Sequence, residues 1–168
     1  MPRTNALVDG VKEISRPGET ALVRERMPGL YATVAFASGR TGLLDLSVHR
    51  SRVWAEVLES LQEAGDPAYV EVDPNTSLIT EVLLPSSFSV GRIERIPDGL
   101  QVELIISHAR HSLRRSNPDF EELRRTLEEA RKRGSRVLIT ETLDGHEIID
   151  ARPAPGPAAP ADGAQQRR

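Results

Sequence analysis

Two stretches of the chain alternate apolar and polar positions in the same phase. Leu30, Ala32, Val34 and Phe36 are matched 70 positions later by Leu100, Val102, Leu104 and Ile106. A period of two puts every second side chain on one face, the pattern of a half-buried strand. Each run follows a turn, Pro28-Gly29 or Pro97-Asp98-Gly99, which joins a fixed φ to tolerance of positive φ. The alternating segments before them, Thr20 to Met27 and Phe88 to Ile96, make each turn the tip of a hairpin. The turn is itself echoed in sequence: Glu25-Arg26-Met27-Pro28-Gly29-Leu30 against Glu94-Arg95-Ile96-Pro97-Asp98-Gly99-Leu100.

Further along, Trp54, Val57, Leu61 and Ala64 recur at steps of three, four and three, as do Phe120, Leu123, Leu127 and Ala130. That spacing predicts a helix with one apolar face in each copy, stopped by Gly65 or Gly134. In this register the second helix is longer by Arg131-Lys132-Arg133, nearly one turn. Beyond the glycines stand Tyr69-Val70-Glu71-Val72 and Leu138-Ile139-Thr140-Glu141, turns at Asn75-Thr76 and Asp144-Gly145, and a last short apolar run. The expected fold is therefore α+β, an internal duplication of a ββαββ unit in which an antiparallel sheet packs against one amphipathic helix.

The pseudo-repeats are expected over residues 20–85 and 86–152, within a single globular domain over 1–152. Residues 1–19 read as an arm or edge strand followed by a turn. Residues 153–168 alternate proline, alanine and glycine, too poor in large apolar groups to fold alone, and predict a disordered tail. The second helix carries the fuller end signals. Asn117 is placed to cap it, Pro118 fits its first turn, and Glu121 with Arg125, Glu128 with Lys132 and Glu129 with Arg133 are spaced for ion pairs.

Composition narrows the chemistry. A chain of 168 residues is long enough to bury a conventional core, and no cysteine is present for a disulfide, a thiolate zinc site or a thiol nucleophile. There is no apolar run near about 18 residues and no apolar core of a signal peptide at the start, so a cytoplasmic protein without membrane contact is expected. The net charge is −3, yet residues 107–136 hold nine basic and five acidic groups. Of the 22 basic residues all but Lys12 and Lys132 are arginine, whose rigid fork suits carboxylates and phosphates.

Candidate binding residues fall in the loop expected between the second strand and the helix of each copy. The first, Ala37 to Gly42, holds Arg40; the second, Ser107 to Ser116, holds His108, Arg110, His111, Arg114 and Arg115. Loops leading into a helix N-terminus present unpaired N–H groups to an anion, and Arg40 and Arg110 fall at matched positions. Neither loop carries a nucleotide-binding fingerprint. His108 and His111 lack a carboxylate or thiolate in the same loop to complete a ligand set, and His49 and His146 would have to come from elsewhere in the fold, so no metal and no cofactor is expected. No Gly-x-Ser-x-Gly elbow is present, and no catalytic residues are assigned.

The function expected from sequence is a small non-catalytic binding or assembly module acting through protein–protein contacts, with itself or with another protein. Binding of nucleic acid or a phosphorylated ligand through the arginine-rich loop ranks second. The six aromatic residues are few for a base-stacking surface. A histidine- or metal-dependent hydrolase ranks third.

Overall fold

The computed structural model describes residues 6–16 and 30–155. Its elements run β1 (Ala6–Ser15), β2 (Tyr31–Phe36), β3 (Thr41–Asp45), α1 (His49–Ala64), β4 (Pro67–Val72) and β5 (Ile79–Leu83), then β6 (Ser86–Ile96), β7 (Gly99–Leu104), β8 (His111–Arg114), α2 (Phe120–Arg133), β9 (Arg136–Glu141) and β10 (Ile148–Pro153). By contacts the chain divides into two compact units, Met1–Ser86 with Thr140–Gly145, and Ser87–Ile139 with His146–Arg168.

Two five-stranded sheets result, ordered β3-β2-β1-β4-β5 and β8-β7-β6-β9-β10. The order is the same in both, so the duplicated α+β architecture is present, each sheet packed against one helix. The ββαββ core of each copy is preceded by one long strand that takes the centre of its sheet. For the first copy this corrects the arm expected over 1–19: β1 hydrogen-bonds to β2 on one side and β4 on the other. The expected strand Thr20 to Met27 and its Pro28-Gly29 turn lie outside the described residues, as do residues 156–168 of the expected tail; β10 itself reaches Pro153.

Alternation builds each sheet as the sequence implies. In β2, Ala32, Val34 and Phe36 point into the first core with Leu44, Leu58 and Val70. In β7, Leu100, Val102 and Leu104 point into the second with Leu113, Leu127 and Ile139. The register between the copies, however, differs from the one the turns suggest. Ala32 pairs with Leu44 as Leu100 pairs with Leu113, so β2 and β7 are 68 positions apart rather than 70. On the 70 register Leu30 and Phe36 would match Leu100 and Ile106, yet Leu30 and Ile106 are exposed while the other two are buried.

From β3 onward the spacing is 69, and it holds without a gap to the end of each copy. Gly65 and Gly134 both take left-handed φ, 73° and 65°, and both end their helix with the same pair of bonds, Gly65 N–H to Gln62 O with Asp66 N–H to Leu61 O, and Gly134 N–H to Arg131 O with Ser135 N–H to Ala130 O. Leu58 corresponds to Leu127 and Trp54 to Leu123, and all four are buried. No extra turn is inserted in the second helix; its basic end, Arg131 to Arg133, corresponds to Gln62, Glu63 and Ala64 of α1.

Helix ends follow the charge pattern more closely than the expected cap. In α2, Glu121 and Glu122 occupy the first turn and Arg131, Lys132 and Arg133 the last. Asp119 sits at the N-cap without a side-chain bond, while Asn117, two residues earlier, accepts the Asp119 N–H on Oδ1 at 2.9 Å. Arg124 gathers the helix ion pairs, with Glu121 at 2.8 Å and Glu128 at 3.0 Å.

The β4–β5 turn has an electrostatic lock. Asp73 Oδ1 accepts the N–H groups of Asn75 at 2.7 Å and Thr76 at 3.0 Å. The Thr76 bond, then the Asn75 bond, hold the carboxyl below its ordinary value of 3.8. The folded pKa is depressed, so the stability it adds is full above the unfolded value and is lost as pH falls through the folded one. Asp73→Ala is expected to lower the urea midpoint at pH 7, with the difference from the parent shrinking as the pH is brought below 3.8. A gap that stays constant through that range would place the effect elsewhere than the carboxylate.

Candidate functional site

The loops singled out in sequence are hairpin turns rather than strand-to-helix connections, because β3 and β8 intervene before each helix. Residues 37–40 join β2 to β3, and residues 105–110 join β7 to β8. The helix-leading segments are 46–48 and 115–119. In the first hairpin, the Ser38 N–H is already taken by Asp9 Oδ2 at 2.8 Å, and the Arg40 N–H meets Ser38 Oγ at 3.5 Å. A carboxylate of the protein occupies the turn that an external anion would need.

In the second unit the candidate residues disperse. Arg110 and His108 border a shallow pocket together with Arg92, Glu94, Glu103 and Ser107, where Arg92 pairs with Glu94 at 2.6 Å. Arg114 ends β8 and reaches Glu147 at 3.1 Å. Arg115 lies over the Phe120 ring, 5.9 Å from its centroid. The three arginines thus face a mixed-charge pocket, a carboxylate and an aromatic face, and they do not converge. Of the aromatics left for stacking, Tyr69 is buried and Phe88 packs against the second core.

What does converge is a histidine pair that sequence spacing hides. His111 opens β8 and is 2% exposed; its Nε2 lies 2.6 Å from Ser107 Oγ, across the β7–β8 hairpin. Ser107 Oγ also accepts the Ala109 N–H at 3.3 Å. His146, in the turn before β10, brings its ring edge-on to His111 with centroids 5.3 Å apart, and a ligand nitrogen of each comes within 4.8 Å of the other. Phe88 stands on another side of the His111 ring at 6.2 Å. His108, the sequence neighbour of His111, is exposed and belongs to the pocket instead.

The backbone that brings the pair together is a seam between the two outer strands of the sheet. Ser112 and Glu147 form a parallel bridge, and the Ser112 N–H donates to the His146 carbonyl at 3.1 Å. His146 is held at φ 50°, a left-handed value rare outside glycine. The first unit has the same seam: Leu43 bridges Leu78, the Leu43 N–H donates to the Ser77 carbonyl at 2.8 Å, and Ser77 sits at φ 61°. Curling a sheet until its outer strands touch shields the rims on which another chain could pair.

The β7–β8 hairpin also holds the strongest backbone outlier among the described residues other than glycine. Ile106 has φ 78°, a conformation that a β-branched residue avoids, and it is 89% exposed beside the half-exposed Ile105.

No protein-family model, curated protein or solved structure matches the chain. Among the described residues, no helix is long and apolar enough to cross a membrane.

Proposed function

We propose that the chain is a non-catalytic cytoplasmic binding and assembly module, and that its second unit associates with a second copy through the apolar tip of the β7–β8 hairpin. The observation that carries this reading is Ile106. An exposed β-branched side chain in the left-handed region gains nothing from burial and costs of order 1–2 kcal/mol in backbone strain. An apolar side chain held out into solvent on a strained backbone is positioned to meet something outside the chain. The sheet rims are a poorer route, since both seams partly occupy them.

Ile106→Gly separates the two meanings of the strain. Glycine relieves it, so the melting temperature of the variant is expected to rise, with a net gain of about 1 kcal/mol or less after the entropy cost of glycine. Sedimentation across a concentration series should show the parent associating and both Ile106→Gly and Ile106→Ser shifted toward monomer. A parent that is monomeric at every concentration overturns the reading.

Binding of nucleic acid or a phosphorylated ligand through Arg40, Arg110, Arg114 and Arg115 is the weaker reading, because Arg114 is paired with Glu147, Arg115 lies over Phe120 and Arg110 borders a pocket that also holds Glu94 and Glu103. Titration with short DNA and RNA at about 50 mM salt, where phosphate contacts are strong, is expected to show no binding.

A further inference from the structure

We propose that His111 and His146 bind a divalent transition-metal ion of the zinc class. Neutral imidazole is a preferred ligand of zinc, copper and nickel, with metal–nitrogen distances near about 2.0–2.1 Å for zinc. Two ring nitrogens within 4.8 Å therefore need only a small side-chain adjustment to share one ion.

Three features of the second unit favour the site. First, Ser107 Oγ stands 2.6 Å from His111 Nε2, a contact that holds the direction of the imidazole. A hydrogen bond to the non-ligating nitrogen is the usual way a protein sets the tautomer and direction of a metal-binding histidine. Second, both ligands are anchored to one rigid seam, since the His146 carbonyl is bonded by Ser112, the residue next to His111. Third, His111 is buried while His146 is exposed, so the pair has one preorganised member and an open approach from solvent.

The first unit supplies the comparison that separates a ligand pair from a structural necessity. On the registers set by the strands and helices, the counterparts of Ser107, His111 and His146 are Gly39, Gly42 and Ser77. The seam forms there with the same hydrogen bond and the same left-handed residue, and without an imidazole. A Cβ at Gly42 would stand 2.7 Å from Ile79 Cγ1, so the first unit has no room for a side chain at the position that His111 takes in the second. Of the two units, only the second carries imidazoles at these positions, with a ring nitrogen of each within 4.8 Å of the other.

Calorimetric titration of the full chain with Zn²⁺ tests the assignment, with Mg²⁺, which prefers oxygen ligands, as the comparison ion. One equivalent of Zn²⁺ per chain is expected, together with a rise in melting temperature, and neither is expected with Mg²⁺. His146→Ala and His111→Ala should each weaken Zn²⁺ binding at least tenfold, and Ser107→Ala about tenfold through loss of the orienting bond. His49→Ala and His108→Ala should leave it unchanged. Because His111 is buried and its variant can lose fold, the exposed His146 carries the decision: zinc binding unchanged in His146→Ala, or no zinc binding by the parent, overturns the site.

Discussion

Gly99→Ala is expected to lose most of the folding stability of the second unit, more than about 4 kcal/mol, a size confined to a few mechanisms such as backbone clash. Gly99 opens β7 opposite Arg114 of β8, at φ 149°. A Cβ there would lie 2.1 Å from the Leu113 carbonyl oxygen, 2.9 Å from the Arg115 nitrogen and 3.1 Å from the Arg114 Cα. All three are backbone atoms of β8 or of the residue that follows it, so no rotamer change relieves the overlap and the strands must part. The Arg115 N–H bond to Asp98 O at 2.7 Å, which closes this end of the hairpin, would go with them. Gly134→Ala isolates the conformational part of the effect. Gly134 is left-handed at φ 65°, but a Cβ there meets nothing within 4 Å, so the cost should stay near about 1–2 kcal/mol. Urea midpoints for the two variants give the comparison; equal midpoints would mean that the β7–β8 pairing described above is wrong.

Leu127→Ala is expected to cost about 2–5 kcal/mol, the range for truncating a fully buried leucine and leaving a partly collapsed cavity. Leu127 is 0% exposed at the centre of the α2 face, among Val102, Leu113 and Ile139. Its counterpart Leu58, also 0% exposed, is surrounded by Val34, Leu44 and Val70, and Leu58→Ala should fall in the same range. The denaturant midpoint should drop in each with the slope unchanged. Arg125→Ala, on the solvent side of α2, should stay within about 0.5 kcal/mol of the parent. A Leu127 variant as stable as the Arg125 one would remove that residue from the core.

Much of the fold was legible because burial writes a period into the sequence. The strand alternation of β2 over Ala32, Val34 and Phe36 and of β7 over Leu100, Val102 and Leu104, the helix stripe of α2 and the stop at Gly134 appear where the spacing puts them, while Leu30 and Ile106, expected on the same faces, are exposed. The errors have the same origin. Sliding β2 against β7 by two residues leaves every side chain on its original face, so parity cannot detect the slip. Sliding one helix along the other by three residues is nearly one turn and leaves the stripe in phase. Ala64, expected on the buried stripe of α1, is exposed for this reason, and Ser51 is buried instead.

The central strand β1 escaped for a different reason. Its burial follows no simple alternation, Asp9 and Gly10 interrupt its apolar run, and its register shifts between Val11 and Glu13. A bulge of that kind breaks the period on which strand reading depends. The candidate site was half legible. His111 and the arginines were marked by local density of charge, but the arginines answer to separate partners. The residue that meets His111 is His146, which reaches it through a seam between the outer strands. Spacing along the chain carries no trace of that meeting.

The single change of length between the copies from β2 onward falls in the hairpin before the third strand, and after it the two run in step to their last strands. Residues 41–83 and 110–152 are therefore interchangeable modules in the sense of gene recombination: a crossover at that hairpin would splice one half into the other with no residue added or removed. Such a chimera would carry the histidine-bearing segment in the first position, or the glycine-bearing one in the second, as a ready-made cassette.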